Sequence, residues 1–328
     1  FIKFQSSNLG FKFAISGACK NASLLSGLKR PDVLKLFSTI TEISDPIFSS
    51  LRIFSKLFLD LSSIDKGDTA NGSGFKFPLV ISTSINKYSF IIVRNLPEVF
   101  KYRFRIRCYY RQEADYKNEI KHPAIRELLK LHKNIKNIDI LHHGDLPART
   151  GIGSSSAFSV GLIYAVHAMK NKKIEKEKLS KLAIFFEQKI LKESVGSQDQ
   201  YIAAHGGFQI ISFEKKKISS KLISNNIIVN ELEKYCQVFY LGERQNANDI
   251  EKKKFNFIDQ KKKTILKDMM FITSEAEKII HSQNKSNFLN FIKLLDKQWN
   301  LKRMLDKSVS SNKIDEMYEF AKKNGVKK

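Results

Sequence analysis

Residues 147–157 read Pro147-Ala148-Arg149-Thr150-Gly151-Ile152-Gly153-Ser154-Ser155-Ser156-Ala157, and an apolar stretch of helical character follows from Phe158 to Met169. Two glycines remove side chains where an anion must come close to the backbone. Three serines bring hydroxyls to the start of a helix, where unpaired N–H groups and a partial positive charge suit a phosphate. No Gly-Lys-Ser/Thr follows, so this is not a Walker A loop. The run Ile138 to His143 reads as a strand entering the segment, which makes the unit strand, loop, helix. Taken alone, a Gly-x-Gly-Ser-Ser-Ser is more commonly a turn and a helix cap.

Two features downstream change that weighting. Lys176 to Lys192 is amphipathic, with Leu179, Leu182, Ala183, Phe186 and Ile190 on one face. Glu187 lies beside that face, where a carboxylate seeks a cation. Next comes Val195-Gly196-Ser197-Gln198-Asp199-Gln200, then Gly206-Gly207, with Asp199 near the start of a short helix or turn. Phosphoryl transfer needs a phosphate cradle, a bridging metal, and a group that accepts the proton of the acceptor hydroxyl. Mg²⁺ takes one or two carboxylates or hydroxyls together with phosphates and water. A loop serine and Glu187 meet the second need, and Asp199 the third if the fold brings it within reach. A single Glu on a helix is ordinarily solvated, and a single Asp beside glycine ordinarily caps a helix. It is the order and spacing of all three that point to chemistry.

The segment Leu146 to Phe158, then Glu187-Gln188, Val195 to Gln200 and Gly206-Gly207-Phe208, resembles the GHMP small-molecule kinases. The marks Asp145-Leu146-Pro147-Ala148-Arg149 and Gly196-Ser197-Gln198-Asp199-Gln200 are nearest to the branch acting at the anomeric position of D-glycero-D-manno-heptose 7-phosphate. The likeness runs over residues 75 to 325 and implies an α+β, two-domain fold. Its N-terminal domain would be ribosomal protein S5 domain 2-like (75–222) and its C-terminal domain ferredoxin-like (223–328). It implies ATP and Mg²⁺ as cofactors, with Gly151, Ile152, Gly153, Ser154, Ser155 and Ser156 on the ATP phosphates. Ser155 and Glu187 would be the metal ligands and Asp199 the catalytic base. The implied reaction converts the heptose 7-phosphate to the 1,7-bisphosphate, for nucleotide-activated heptose and surface polysaccharide. The implied partners are ATP and a sugar phosphate, and a homodimer is compatible with it.

Residues 1–74 carry no part of this resemblance and stay unassigned. The family's opening Pro-x-Arg strand and Gly-Gly-Gly-Thr-Asp turn have no counterpart there, and the chain reaches Asn324-Gly325-Val326 where a glycine-rich third motif is expected. The fold is therefore expected to be incomplete at both ends. The competing expectation is a kinase-derived protein without turnover that retains at most nucleotide binding.

The remaining signals set bounds. With 328 residues, 42% of them hydrophobic, the chain can bury a sizeable core. No apolar run approaches the roughly 18 residues of a spanning helix. Three scattered cysteines, Cys19, Cys108 and Cys236, form no metal spacing, and with no signal-peptide pattern they lead us to expect a cytoplasmic protein. The formal charge of +24 rests on dispersed lysines. Runs such as Lys252-Lys253-Lys254 lack interleaved aromatics, so nucleic acid and membrane are not expected partners. Elements expected elsewhere are a helix-like pattern over Asp32–Leu61 broken by Pro46, and strands Leu79–Ile85 and Tyr88–Arg94 joined at Asn86-Lys87. A strand over Tyr102–Tyr110, a helix over Ala124–His132 and a strand over Phe208–Phe213 come next. The rest comprises a lysine-rich connector Glu214–Lys221, a strand at Val238–Leu241, and helices Lys252–Gln283, Lys285–Met304 and Lys313–Asn324.

Overall fold

The computed structural model describes residues 2–3, 14–15, 43–48, 79–146, 151–214, 217–236, 260–306 and 309–325. Pro147–Thr150 and the strand expected at Val238–Leu241 lie outside them. The frame is a seven-stranded sheet in the order β6-β5-β7-β4-β8-β9, with β3 also on β4. Its strands are β3 (Ile43–Phe48), β4 (Leu79–Asn95), β5 (Phe104–Arg107), β6 (Arg111–Ala114), β7 (Ile138–Gly144), β8 (Phe208–Phe213) and β9 (Ile218–Leu222). A separate short pair joins β1 (Ile2–Lys3) to β2 (Ala14–Ile15).

β4 organises the molecule. It is one strand of 17 residues rather than the two expected strands joined at Asn86-Lys87. Asn86 and Lys87 are exposed but remain extended, because the dipeptide lacks the glycine of a two-residue turn. Each half of the strand has its own partner. Residues 79–83 pair with β8, and 89–95 pair with β7, both antiparallel. β3 also runs antiparallel to β4, from Ile43 opposite Ile91 to Phe48 opposite Ser84. The helix-like pattern over Asp32–Leu61 is thus a strand at its centre, with Pro46 taken into the pairing; the rest of that range is not described.

The helices are α1 (Pro123–Leu131), α2 (Ser154–Met169), α3 (Lys176–Phe185), α4 (Gln198–His205), α5 (Ile227–Tyr235), α6 (Gln260–Ser282), α7 (Phe288–Leu305) and α8 (Asn312–Lys323). One core joins Ile91 and Val93 of β4 to β5, β7, α1, α2 and α3. A second gathers Ile81, Phe208 and Ile210 with α5, α6 and α7. Val80, Tyr201, Ile211 and Leu305 form a third with the N-terminal half of α6. The second core is anchored by Asn226, which is buried at the start of α5. Its Oδ1 accepts from the Ile228 and Val229 N–H groups, and its amide donates to the Ile280 carbonyl at 2.7 Å.

Glu214–Lys221 is not a connector. Lys217 and Glu214 close a turn, and Ile218–Leu222 returns along β8 as β9. Lys221 sits on that strand at the edge of the sheet, where its charge did not disclose the pairing. The chain is α+β, as expected.

Candidate active site

β7 delivers the chain to the loop. The Tyr88 N–H donates to Asp145 Oδ2, and the Asp145 N–H donates to the Tyr88 carbonyl, both at 2.9 Å, so the loop entry is held against β4. Gly151 and Gly153 have φ of 78° and 83°, the left-handed region that costs other residues strain. Gly153 is the N-cap of α2, and no side chain caps that terminus. The first N–H groups of α2 therefore face outward over the loop. α2 itself is almost wholly buried from Ser156 to Val166, as its apolar sequence requires.

The serines separate by exposure. Ser154 is half-buried, Ser155 is exposed, and Ser156 is buried. Ser156 turns inward, and its hydroxyl donates to Glu187 Oε2 at 3.0 Å. Ser155, one residue earlier, presents its hydroxyl on the open side of the same turn.

Glu187 is 1% exposed. It lies in a π-helical turn, Phe186–Ile190, that continues α3. Such a turn inserts an extra residue and rotates the helix beyond it, a device found often at functional sites. Glu187 stands near the start of the turn, seven residues after buried Ser180 and four after buried Ala183, so it continues the buried face of α3 rather than lying beside it. Oε2 also accepts a short hydrogen bond from the Gln200 amide. Oε1 accepts no well-formed hydrogen bond from the described residues, though the buried Ser159 hydroxyl lies nearby. Burial pushes the carboxyl up to about 7; Ser159, Gln200 and Ser156 oppose that, and Glu193 adds to it.

The Asp199 segment is tied in on both sides. Gln188 Nε2 donates to the Val195 carbonyl at 3.0 Å and to Ser197 Oγ at 3.3 Å, which fixes the approach to α4. Asp199 is half-buried in the first turn of α4. Gln198 and Gln200 flank it, both buried, and donate to Ser82 Oγ of β4 and to Glu187. Beneath the second turn of α2, Phe158 packs against His122 and His142, with ring centroids 4.8 Å away in each case. Burial drives the His142 imidazole down to about 4, so it is neutral when it bonds Ser89 Oγ.

The three segments singled out in the sequence thus converge: the loop and α2 meet Glu187 through Ser156, and Glu187 meets the Asp199 turn through Gln200. Ser156, Gln200, Gln198 and Ser82 form the links; of these, Ser156 was expected only on the phosphates, and the other three were not anticipated as site residues. Residues 118–207 match the family model of the GHMP kinases N-terminal domain. This segment is similar to GHMP kinase N-terminal domains. Over 186 residues the chain is 30% identical to D-glycero-alpha-D-manno-heptose 7-phosphate kinase of Campylobacter jejuni subsp. jejuni serotype O:2, covering 56% of this chain and 54% of that protein. The chain thus matches about half the length of that curated relative. The fold is shared with the solved Methanococcus jannaschii mevalonate kinase, at TM-score 0.59 and 19% identity over 87% of this chain and 84% of that one. It is also shared with a D-glycero-D-manno-heptose 1-phosphate kinase from Bacteriodes thetaiotaomicron, at TM-score 0.56 and 19% identity, covering 79% and 78%.

The residues gathered here would fit a nucleotide and a divalent ion. Its uncapped helix terminus and left-handed glycines form an anion cradle, and Glu187 Oε1 is a buried acceptor without a well-formed hydrogen bond. No trio of His, Cys, Asp or Glu suited to a metal occurs among the described residues. A carboxylate and hydroxyls completed by phosphate and water would suit Mg²⁺. No described helix is long and apolar enough to cross a membrane.

Proposed function

We propose that this chain is an ATP- and Mg²⁺-dependent sugar kinase, whose acceptor is the anomeric hydroxyl of a sugar phosphate. D-glycero-D-manno-heptose 7-phosphate is the favoured acceptor, since the curated relative is named for it. The observation that carries the reading is the convergence on Glu187. Ser156 from the glycine-serine loop and Gln200 from the Asp199 turn donate to one buried carboxylate oxygen. In this reading residues 75–222 and 223–328 are the N- and C-terminal domains, and the product feeds nucleotide-activated heptose in the cytoplasm.

Gly151, Ile152, Gly153 and Ser154–Ser156 would hold the ATP phosphates by backbone N–H groups, with the Ser154 and Ser155 hydroxyls beside them. Ser155 and Glu187 would hold Mg²⁺, which when bound neutralises phosphate charge. Asp199 would take the proton from the anomeric hydroxyl. The new bond forms between that oxygen and the γ-phosphorus as the bond to the β–γ bridging oxygen breaks, leaving ADP. Catalysis then rests on positioning and charge neutralisation.

The test pairs a thermal-shift titration with Mg·ATP and a coupled assay on the heptose 7-phosphate. We expect a shift and turnover, with Asp199→Asn retaining the shift and losing turnover. Undiminished turnover in Asp199→Asn overturns the role given to that residue. A shift without turnover in the natural chain favours nucleotide binding alone.

A further inference from the structure

We propose that Gln198 and Gln200 are positioning residues that lock Asp199 in place relative to Glu187, a role that rests on the kinase reading. Both glutamines are buried to within 1% of complete. Both lie in the first turn of α4, one on each side of Asp199 in sequence. Successive helical residues are separated by about 100°, so the two amides leave α4 in nearly opposite directions. Gln198 Nε2 reaches Ser82 Oγ of β4 at 2.9 Å, across 116 positions of sequence. Gln200 Nε2 reaches Glu187 Oε2 in the π turn. Chemistry fixes the second amide's orientation, since its carbonyl turned toward the carboxylate would set acceptor against acceptor.

Two attachments on opposite sides prevent the turn from rotating about its own axis. Any rotation that swings Asp199 lengthens one bond or the other. The arrangement is costly, because the carbonyl oxygens of both glutamines are buried with no partner among the described residues. Leucine or methionine would fill the same space without that cost. Polar groups retained at a cost beside a half-buried acid point to a placement role rather than to packing. Glu187 Oε1 is left for a metal while Oε2 is committed to Gln200 and Ser156. The carboxylate that would hold the metal and the acid that would take the proton are thus one hydrogen bond and one helical residue apart.

The test uses Gln200→Met and Gln198→Met, which keep length and volume but remove the donors. The first readout is Mn²⁺ affinity in the presence of ATP, measured by electron paramagnetic resonance. The second is kcat against sugar KM. Gln200→Met is expected to weaken Mn²⁺ binding on the order of tenfold or more, the usual effect of removing an outer-sphere partner. Combined with Glu187→Gln it should add no further loss. Gln198→Met is expected to leave Mn²⁺ affinity at the natural level and lower kcat, with sugar KM unchanged. Ser82→Ala, a gentler change at the other end of that bond, should reproduce this split even if Gln198→Met does not fold. Natural-level Mn²⁺ affinity and kcat in the folded variants overturn the proposal while the kinase reading stands. A natural chain that neither binds Mn²⁺ with ATP nor turns over removes the kinase reading, and the positioning role with it.

Discussion

A buried carboxyl whose pKa rises on folding makes the protein's stability depend on pH in a fixed direction. Glu187 moves from an ordinary carboxylate value to about 7 through burial. Between those values the folded state holds a proton that the unfolded state has released. Its contribution is therefore fully present below about pH 4.5 and is lost as pH rises through 7. The shift corresponds to roughly 3 kcal/mol at pH 8. Glu187→Gln keeps an acceptor for Ser156 and Gln200 without a charge to bury. Denaturant unfolding without divalent ions should find this variant more stable than the natural chain at pH 8, with the gap closing by pH 5. A gap that stays level with pH would show that the carboxyl is not held neutral by its surroundings. His142 acts with the opposite sign. Its value falls to about 4 through burial, so its contribution is present at neutral pH and is lost as pH drops from about 6.5 toward 4.

The elements around the site differ in how much of them the sequence discloses, and the difference lies in the range of the interactions. Gly151 and Gly153 were readable because the left-handed backbone is a property of single residues. The buried span of α2 was readable because apolar residues on every face leave it no solvent side. The π turn was not, since an inserted residue leaves no mark on a 3.6-residue period and depends on what Phe186 and Glu187 pack against. β9 and β6 were missed because strands of four or five residues, three of them polar, pair only when a neighbour supplies the register. Two consequences can be measured. Gly153→Ala forces a Cβ into φ of 83° at the entry to α2 and should cost about 1–2 kcal/mol in urea unfolding. Asn226 carries the other, since its side chain satisfies two N–H groups of α5 and the Ile280 carbonyl of α6. Asn226→Ala should cost about 2 kcal/mol, more than an exposed cap, because the Ile280 carbonyl is left buried. A loss below about 0.5 kcal/mol would show that water replaces the asparagine.

Across the whole molecule, the three segments singled out in the sequence come together, while the contacts joining them did not show in the sequence. Ser82 and Gln198 are too far apart for any local pattern to connect them. The same holds for the charge cluster around Asp139 in the sheet. Asp139 is 1% exposed on β7, on the face opposite Ile138 and Ile140. Its Oδ2 accepts from Arg94 of β4 at 2.8 Å and from Arg105 and Arg107 of β5 at 2.7 and 2.9 Å. These arginines hold its carboxyl below the usual carboxylate range despite burial, which alone would raise it. In a chain of net charge +24, that one carboxylate keeps three guanidinium groups together across three strands. Asp139→Asn leaves their mutual repulsion uncompensated and Arg105 nearly buried. Removing one member of a buried ion cluster typically costs about 3–5 kcal/mol. We expect the lower end, because Arg94 and Arg107 can turn toward solvent. Salt separates this from a surface effect. At 1 M salt the screening length falls to about 3 Å, which weakens exposed pairs but leaves a buried cluster largely intact. The Asp139→Asn penalty in urea unfolding should therefore persist at about 1 M NaCl. If it vanishes there, the cluster is a solvated surface network and β7 is held to its neighbours by backbone pairing alone.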